Sequence, residues 1–266
     1  VTQPSDPPAI DSTVPSSPRI WNYWMGGKDC YSIDKQVGAA GLEIDPDIGR
    51  MARYSRDFLI RAVAHLAREE GVRQFLDIGT GLPAYDNTHE VAQRIVPESR
   101  VVYVDNDPSV LAHAQALLTP ASTAGTVAYV DADFHNPEQI IEQAQRTLDL
   151  DQPVGVMFMG VLGHARSFED MQRIVRTVMG AVARGSFLVL WDGTIDSAPY
   201  VALCEAYAAG GSPDPYHPRT KAEIRTVFEG LEFVPPGFGP IAQWLTDPGE
   251  ENRRWVAAYG GVARKP

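Results

Sequence analysis

Two carboxylates at the ends of apolar runs are the side chains of this sequence best placed to do chemistry. Asp77 lies two residues before Gly79 in FLDIGTGLP (75–83), and Asp105 ends the apolar run of VVYVDNDP (101–108). Glycines at 79 and 81 let a backbone turn tightly and approach a ligand closely, because they tolerate dihedrals that a Cβ penalises. A carboxylate at the mouth of the next strand can take a ribose diol. Together they predict a nucleoside pocket.

The glycines alone also satisfy the loose dinucleotide pattern, as Gly79-x-Gly81-x-x-Ala84, so a nicotinamide cofactor is the first alternative. Asp77 argues against it. A carboxylate there would repel a pyrophosphate, whereas the amino group and sulfonium of S-adenosylmethionine are cationic and gain from it. Pro83, Tyr85, Asp86, Asn87 and Thr88 also read as a polar loop rather than a helix opening tightly onto phosphate oxygens.

Other candidates follow further strands. His164, in MGVLGHA, and Asp192, in WDG, stand where such a sheet presents residues to a substrate and are the candidate catalytic groups; Tyr216 and His217 form a further pair. Methyl transfer needs a base only if the nucleophile starts protonated. The segment RIWNYWMGGKDCY (19–31) wraps aromatics around Gly26, Gly27 and Lys28. It reads as a clasp whose rings plug the core, or as a lid whose Lys28 or backbone amides meet the donor's carboxylate. Adjacent glycines are costly to order, which favours the lid.

The elements that must position these groups alternate regularly. Strands are predicted at 74–78, 100–104, 126–130, 153–159 and 185–191, with helices at about 87–96, 108–118, 136–147, 167–183 and 197–209. Such alternation means a doubly wound, mostly parallel sheet. LEFVPPG (231–237) and RWVAAYGGVA (254–263) then read as a closing antiparallel hairpin, giving seven strands, with Thr220 capping a short helix before it. Ile48, Met51, Phe58, Leu59, Ala62, Val63 and Leu66 share one helical face, with Asp47 as N-cap and Gly71 as stop. Residues 1–18, with five prolines, read as a disordered tail whose loss leaves donor affinity unchanged. Residues 19–71 form an N-terminal loop and helical cap, and 72–266 the main domain.

With these strings in view, the chain resembles the class I S-adenosylmethionine-dependent methyltransferases. It resembles in particular a bacterial S-adenosyl methyltransferase family first defined as a domain of unknown function, from Arg19 to the C-terminus. Gly26-Gly27-Lys28-Asp29, FLDIGTGLP, VVYVDNDP and DADFHNP (131–137) carry the likeness. It implies that Asp77, Gly79 and Gly81 lie along the methionine part of the donor and that Asp105 holds the ribose. It also implies that Asn106 flanks the adenine and that Asp133 and Phe134 meet its amino group and face. Pro83 and Cys30 depart from the family pattern.

Composition bounds the rest. The 266-residue chain carries 44% hydrophobic residues and a net charge of −11 with no long basic run, which disfavours nucleic acid. Cys30 and Cys204 lack zinc spacing, and no acidic triad suggests magnesium, so no metal is expected. The cysteines suit a reducing cytoplasm, and no apolar run approaches the ~20 residues that span a membrane. The expectation is a methyltransferase acting on a small organic acceptor, oxygen slightly before nitrogen, with homo-oligomerisation left open. A donor-binding module without catalysis and an NAD-dependent oxidoreductase are the rivals.

Overall fold

The computed structural model describes residues 10–117, 120–212, 214–246, 249 and 253–266. Half of the expected tail, residues 1–9, lies outside the described residues. The N-terminal region forms three helices, α1 (Ser17–Met25), α2 (Ser32–Ile44) and α3 (Ile48–Arg68). Then follow β1 (Gln74–Ile78), α4 (Thr88–Ile95), β2 (Arg100–Asp105), α5 (Pro108–Leu117), β3 (Thr126–Asp131), α6 (Pro137–Ala144), β4 (Gly155–Met159), α7 (Phe168–Ala181) and β5 (Phe187–Gly193). The chain closes with α8 (Ala198–Ala209), α9 (Lys221–Thr226), β6 (Glu232–Phe233), β7 (Gly239–Pro240) and β8 (Ala258–Arg264).

The sheet runs β3-β2-β1-β4-β5-β8-β6, with β7 also on β8. The first five strands pair in parallel and β8 is antiparallel to β5. The expected seven positions across the sheet are present, but the edge strand is split into β6 and β7, both paired with β8. The split falls at Pro235 and Pro236, which have no N–H to donate to a ladder.

Side chains alternate across the sheet with period two. Phe75, Val101, Tyr103, Met157, Val189 and Trp191 join one core with α3, while Leu76, Val102, Val104, Phe158 and Leu190 join the other with α6 and α7. Asp77 and Asp105 continue the odd-numbered series of β1 and β2, so they share the face covered by the N-terminal helices. Strand order reverses between β1 and β4, which opens a crevice at the strands' carboxyl ends.

The N-terminal cap differs from its expected form. The aromatic loop begins as a helix, α1, whose first residue, Ser17, falls inside the stretch read as tail. Helix α2 follows with a weak apolar stripe because its contact face is glycine. Gly38 lies against Tyr23, and a Cβ on Gly41 would come within 2.9 Å of both Leu203 and Trp24. Asp47 precedes α3 as expected but makes no side-chain cap, bonding Arg50 instead. Gly71, at φ 71°, follows the end of α3 in the left-handed region.

A buried ion pair holds the cap together. Arg19 Nε donates to Asp34 Oδ2 at 2.8 Å, with the two side chains 5% and 0% exposed. Asp34 also accepts from the backbone N–H groups of Ser16 (3.0 Å) and Tyr31 (2.8 Å). Removing one partner of such a pair leaves an uncompensated buried charge. Asp34→Ala is therefore expected to lower stability by about 3–5 kcal/mol, read as a shifted urea midpoint.

Candidate functional site

The turn after β1 is built from two left-handed glycines, Gly79 at φ 72° and Gly81 at φ 66°. Gly79 is pressed against Val161 beyond β4, leaving no room for a Cβ. Gly81 instead turns its N–H to Asp105 Oδ2 at 2.8 Å, and Asp107 N–H donates to Asp105 Oδ1 at 3.0 Å. Asp77, 3% exposed, accepts from Thr88 Oγ1 at 2.6 Å. Desolvation dominates at both carboxyls and raises each from an ordinary 3.8 to about 6, although their hydrogen bonds oppose the rise.

These groups open on a cavity of about 500 Å³. Its wall includes Asp77, Gly79, Gly81, Asp105, Asn106, Asp133, Phe134 and His164. Asp133 Oδ1 accepts from His135 N–H (2.9 Å) and stands 2.8 Å from His135 Nδ1, while the Phe134 and His135 rings lie 4.1 Å apart. The structure thus brings seven of the ten residues read as donor-binding to one space.

Gly26, Gly27 and Lys28, also read as donor contacts, do not line this cavity. Gly26, at φ 90°, ends α1; the Gly27 N–H donates to Asn22 O at 2.9 Å and its backbone packs on the Asn22 side chain; Lys28 is exposed. The glycine pair serves a helix stop. The cation on the wall beside Asp77 is Arg56 of α3, held by the Tyr85 carbonyl (2.7 Å) and Asn87 Oδ1 (2.9 Å). Nothing local in the sequence distinguishes Arg56 from the other arginines of that helix.

Of residues 19–31, expected to cover the site, the part in α1 lies on the cavity, through Arg19, Ile20, Trp21, Trp24 and Met25. Residues 10–16 do the same, against their reading as an inert tail. Ile10, Asp11, Val14 and Pro15 line the cavity, Ser16 Oγ donates to Asp107 Oδ2 at 2.6 Å, and Arg19 donates to the carbonyls of Val14 (2.5 Å) and Asp11 (3.3 Å).

His164 sits in the short helical turn Leu162–His164. Its Nδ1 lies 3.0 Å from the Asp214 carbonyl, an acceptor only, so Nδ1 carries the proton and Nε2 keeps its lone pair. Nε2 is 3.4 Å from Ser17 Oγ. Burial lowers the imidazole's pKa, so the ring is neutral at about pH 7. Asp192, the other candidate, is fully buried and outside the cavity wall, and its Oδ1 accepts from the Tyr216 hydroxyl. Tyr216 itself lines the cavity, whereas His217 does not. Among the described residues no group of three or more His, Cys, Asp or Glu is arranged to hold a metal ion.

A parallel sheet with an antiparallel finish, carrying a glycine turn and a strand-end carboxylate at its switch point, defines a Rossmann-like class I methyltransferase fold. The chain belongs to the S-adenosyl methyltransferase family, whose match spans residues 3–266. It is similar to a DUF574 family protein from Streptomyces avermitilis MA-4680, at 42% identity and TM-score 0.92 over 97% of this chain and 100% of that one. A protein from Thermobifida fusca YX assigned as a methyltransferase matches at 32% identity and TM-score 0.85, over 99% of each chain. The mitomycin 7-O-methyltransferase MmcR, at 18% identity and TM-score 0.50 over 93% of this chain and 68% of that one, shares the fold. No functionally curated protein matches the chain. Its cofactor is S-adenosylmethionine, and no helix among the described residues is long and apolar enough to cross a membrane.

The donor is cationic and the wall carboxyls titrate near 6, which sets a sign for the pH dependence. Their raised values make the ligand-free protein lose stability as pH rises from about 4 through 6, and a bound cation offsets that loss once they ionise. Calorimetry should find donor affinity about tenfold weaker at about pH 5 than at about pH 8. Deleting residues 1–16 should weaken donor affinity by about tenfold, contrary to the behaviour of an inert tail.

Proposed function

We propose that this methyltransferase acts on a hydroxyl of a small organic acceptor, with His164 as the general base. The observation that carries the reading is the His164 ring itself, neutral and tautomerically fixed, with the Nε2 lone pair on the cavity side near Ser17. A hydroxyl needs such a group, because its proton must leave as the oxygen attacks. The donor supplies a methyl group on a positively charged sulfur, so the oxygen's lone pair forms the new bond to carbon while the carbon–sulfur pair returns to sulfur.

The remaining residues bind and orient. Asp105, its oxygens aligned by the Gly81 and Asp107 N–H groups, suits the ribose diol. Asp77 suits the donor's ammonium, and Arg56 suits its carboxylate, the task first read for Lys28. Asp133 is held by His135 through one oxygen, which leaves the other for the adenine amino group, with Phe134 against the base and Asn106 at its edge. Ser17 and the α1 rings exclude water from the methyl group. Asp192 acts through Tyr216, fixing its ring in the wall.

Single-turnover assays with methyl-labelled donor and a pool of hydroxylated acceptors test this. His164→Ala should cut transfer by about 10²-fold or more while donor affinity holds within about threefold. Nitrogen-15 NMR of the wild type at about pH 7 should show His164 Nε2 unprotonated. Full transfer by the alanine variant, or a proton on Nε2, would remove His164 from the role.

A further inference from the structure

We infer that the acceptor is a neutral, planar phenol-type ring, seated against the indoles beside His164; this rests on the methyl-transfer reading above. The cavity wall joins acids, among them Asp77, Asp105, Asp133 and Asp214, to a set of rings, Trp21, Trp24, Trp191, Tyr200, Tyr216 and His164.

The rings are arranged as a wall. Trp21 lies nearly parallel to Trp191, with centroids 6.0 Å apart and planes at 27°, and meets Trp24 edge-on at 5.7 Å and 75°. Tyr216 stands perpendicular to His164 at 5.0 Å and to Tyr200 at 6.2 Å and 72°. Such mixed faces and edges favour a flat aromatic guest, which stacks on one ring and meets others by its edge. They also place a guest beside the base, since His164 is a member of the wall.

Charge narrows the class further. Among the described residues the arginines of the wall are Arg19 and Arg56. Arg19 is committed to Asp34 and to two backbone carbonyls, and Arg56 lies beside Asp77, held by the Tyr85 carbonyl and Asn87. An acceptor with a phosphate or carboxylate would therefore be desolvated without a counter-charge. Aromatic walls do attract ammonium groups. Here, however, a second cation would sit next to the donor's sulfonium and be repelled in a water-poor space, and a protonated amine has no lone pair to give. A phenol meets all three conditions. It is uncharged on entry, flat, and loses its proton to His164 Nε2 as its oxygen takes the methyl.

The test uses the full chain saturated with sinefungin, a non-reacting donor analogue whose protonated amine stands in place of the sulfonium, and three probes, naphthol, cyclohexanol and phenethylamine, titrated by calorimetry and by quenching of tryptophan fluorescence. Naphthol should bind at least about tenfold tighter than either other probe. Trp21→Leu should lose about tenfold in naphthol affinity while its affinity for sinefungin stays within about threefold. The ranking of probes on the intact chain needs no variant and decides the matter even if Trp21→Leu does not fold. Cyclohexanol binding as tightly as naphthol, or phenethylamine binding best, overturns the phenol assignment while leaving donor binding intact. A chain that fails to bind sinefungin overturns the donor reading and this inference together.

Discussion

The structure depends on two carboxylates kept at neighbouring strand ends without a direct ion pair. Asp77 and Asp105 are drawn out of water, so ionising either is unfavourable, and each is held by hydrogen bonds from groups of fixed position. That arrangement constrains what surrounds it. Gly81 must expose its N–H to Asp105, Thr88 must begin α4 where its hydroxyl reaches Asp77, and Arg56 must enter from α3 to temper the local field.

An open sheet offers only a crevice at such a point, and the N-terminal helices make it a cavity. Their packing relies on small residues more than on large ones, since Gly38 and Gly41 let α1 and α8 come close to α2. The closure is then fixed electrostatically by Asp34, which gathers Arg19, Ser16 and Tyr31 around one buried carboxylate. Residues 10–16 gain their place through the same centre, with Ser16 joining Asp34 to Asp107 and so linking the cap to the strand end that carries Asp105.

The cavity joins two kinds of group. Asp77 and Asp105 of the β1 and β2 ends share its wall with the rings of α1, α8 and β5. His164 stands among the rings, its Nδ1 committed to a backbone carbonyl and its Nε2 3.4 Å from the Ser17 hydroxyl. Tyr216 belongs to the wall, and its hydroxyl donates to Asp192, which is fully buried and outside the lining.

Much of this was legible in the residues because it is local. The strand and helix bounds follow from periodicity, and Asp77, Gly79, Gly81 and Asp105 are revealed by spacing, since a turn and the strand it leaves occupy consecutive positions. Asp133 and Phe134 were visible only through resemblance, and the structure brings them to the same wall. What the sequence could not decide depended on which helix face meets which partner. Helix α2 lacked an apolar stripe because glycines make its contact, and the Gly26-Gly27 pair suggested a ligand when it ends a helix. Asp192 and His164 looked alike as residues past strand ends, yet Asp192 continues a buried strand while His164 sits on a turn in the cavity wall. Arg56 replaced Lys28, and residues 10–16 became wall rather than tail, for one reason. Contacts between segments far apart in the chain, made only once the sheet and cap have packed, determine which charges face the ligand and which are spent on the fold.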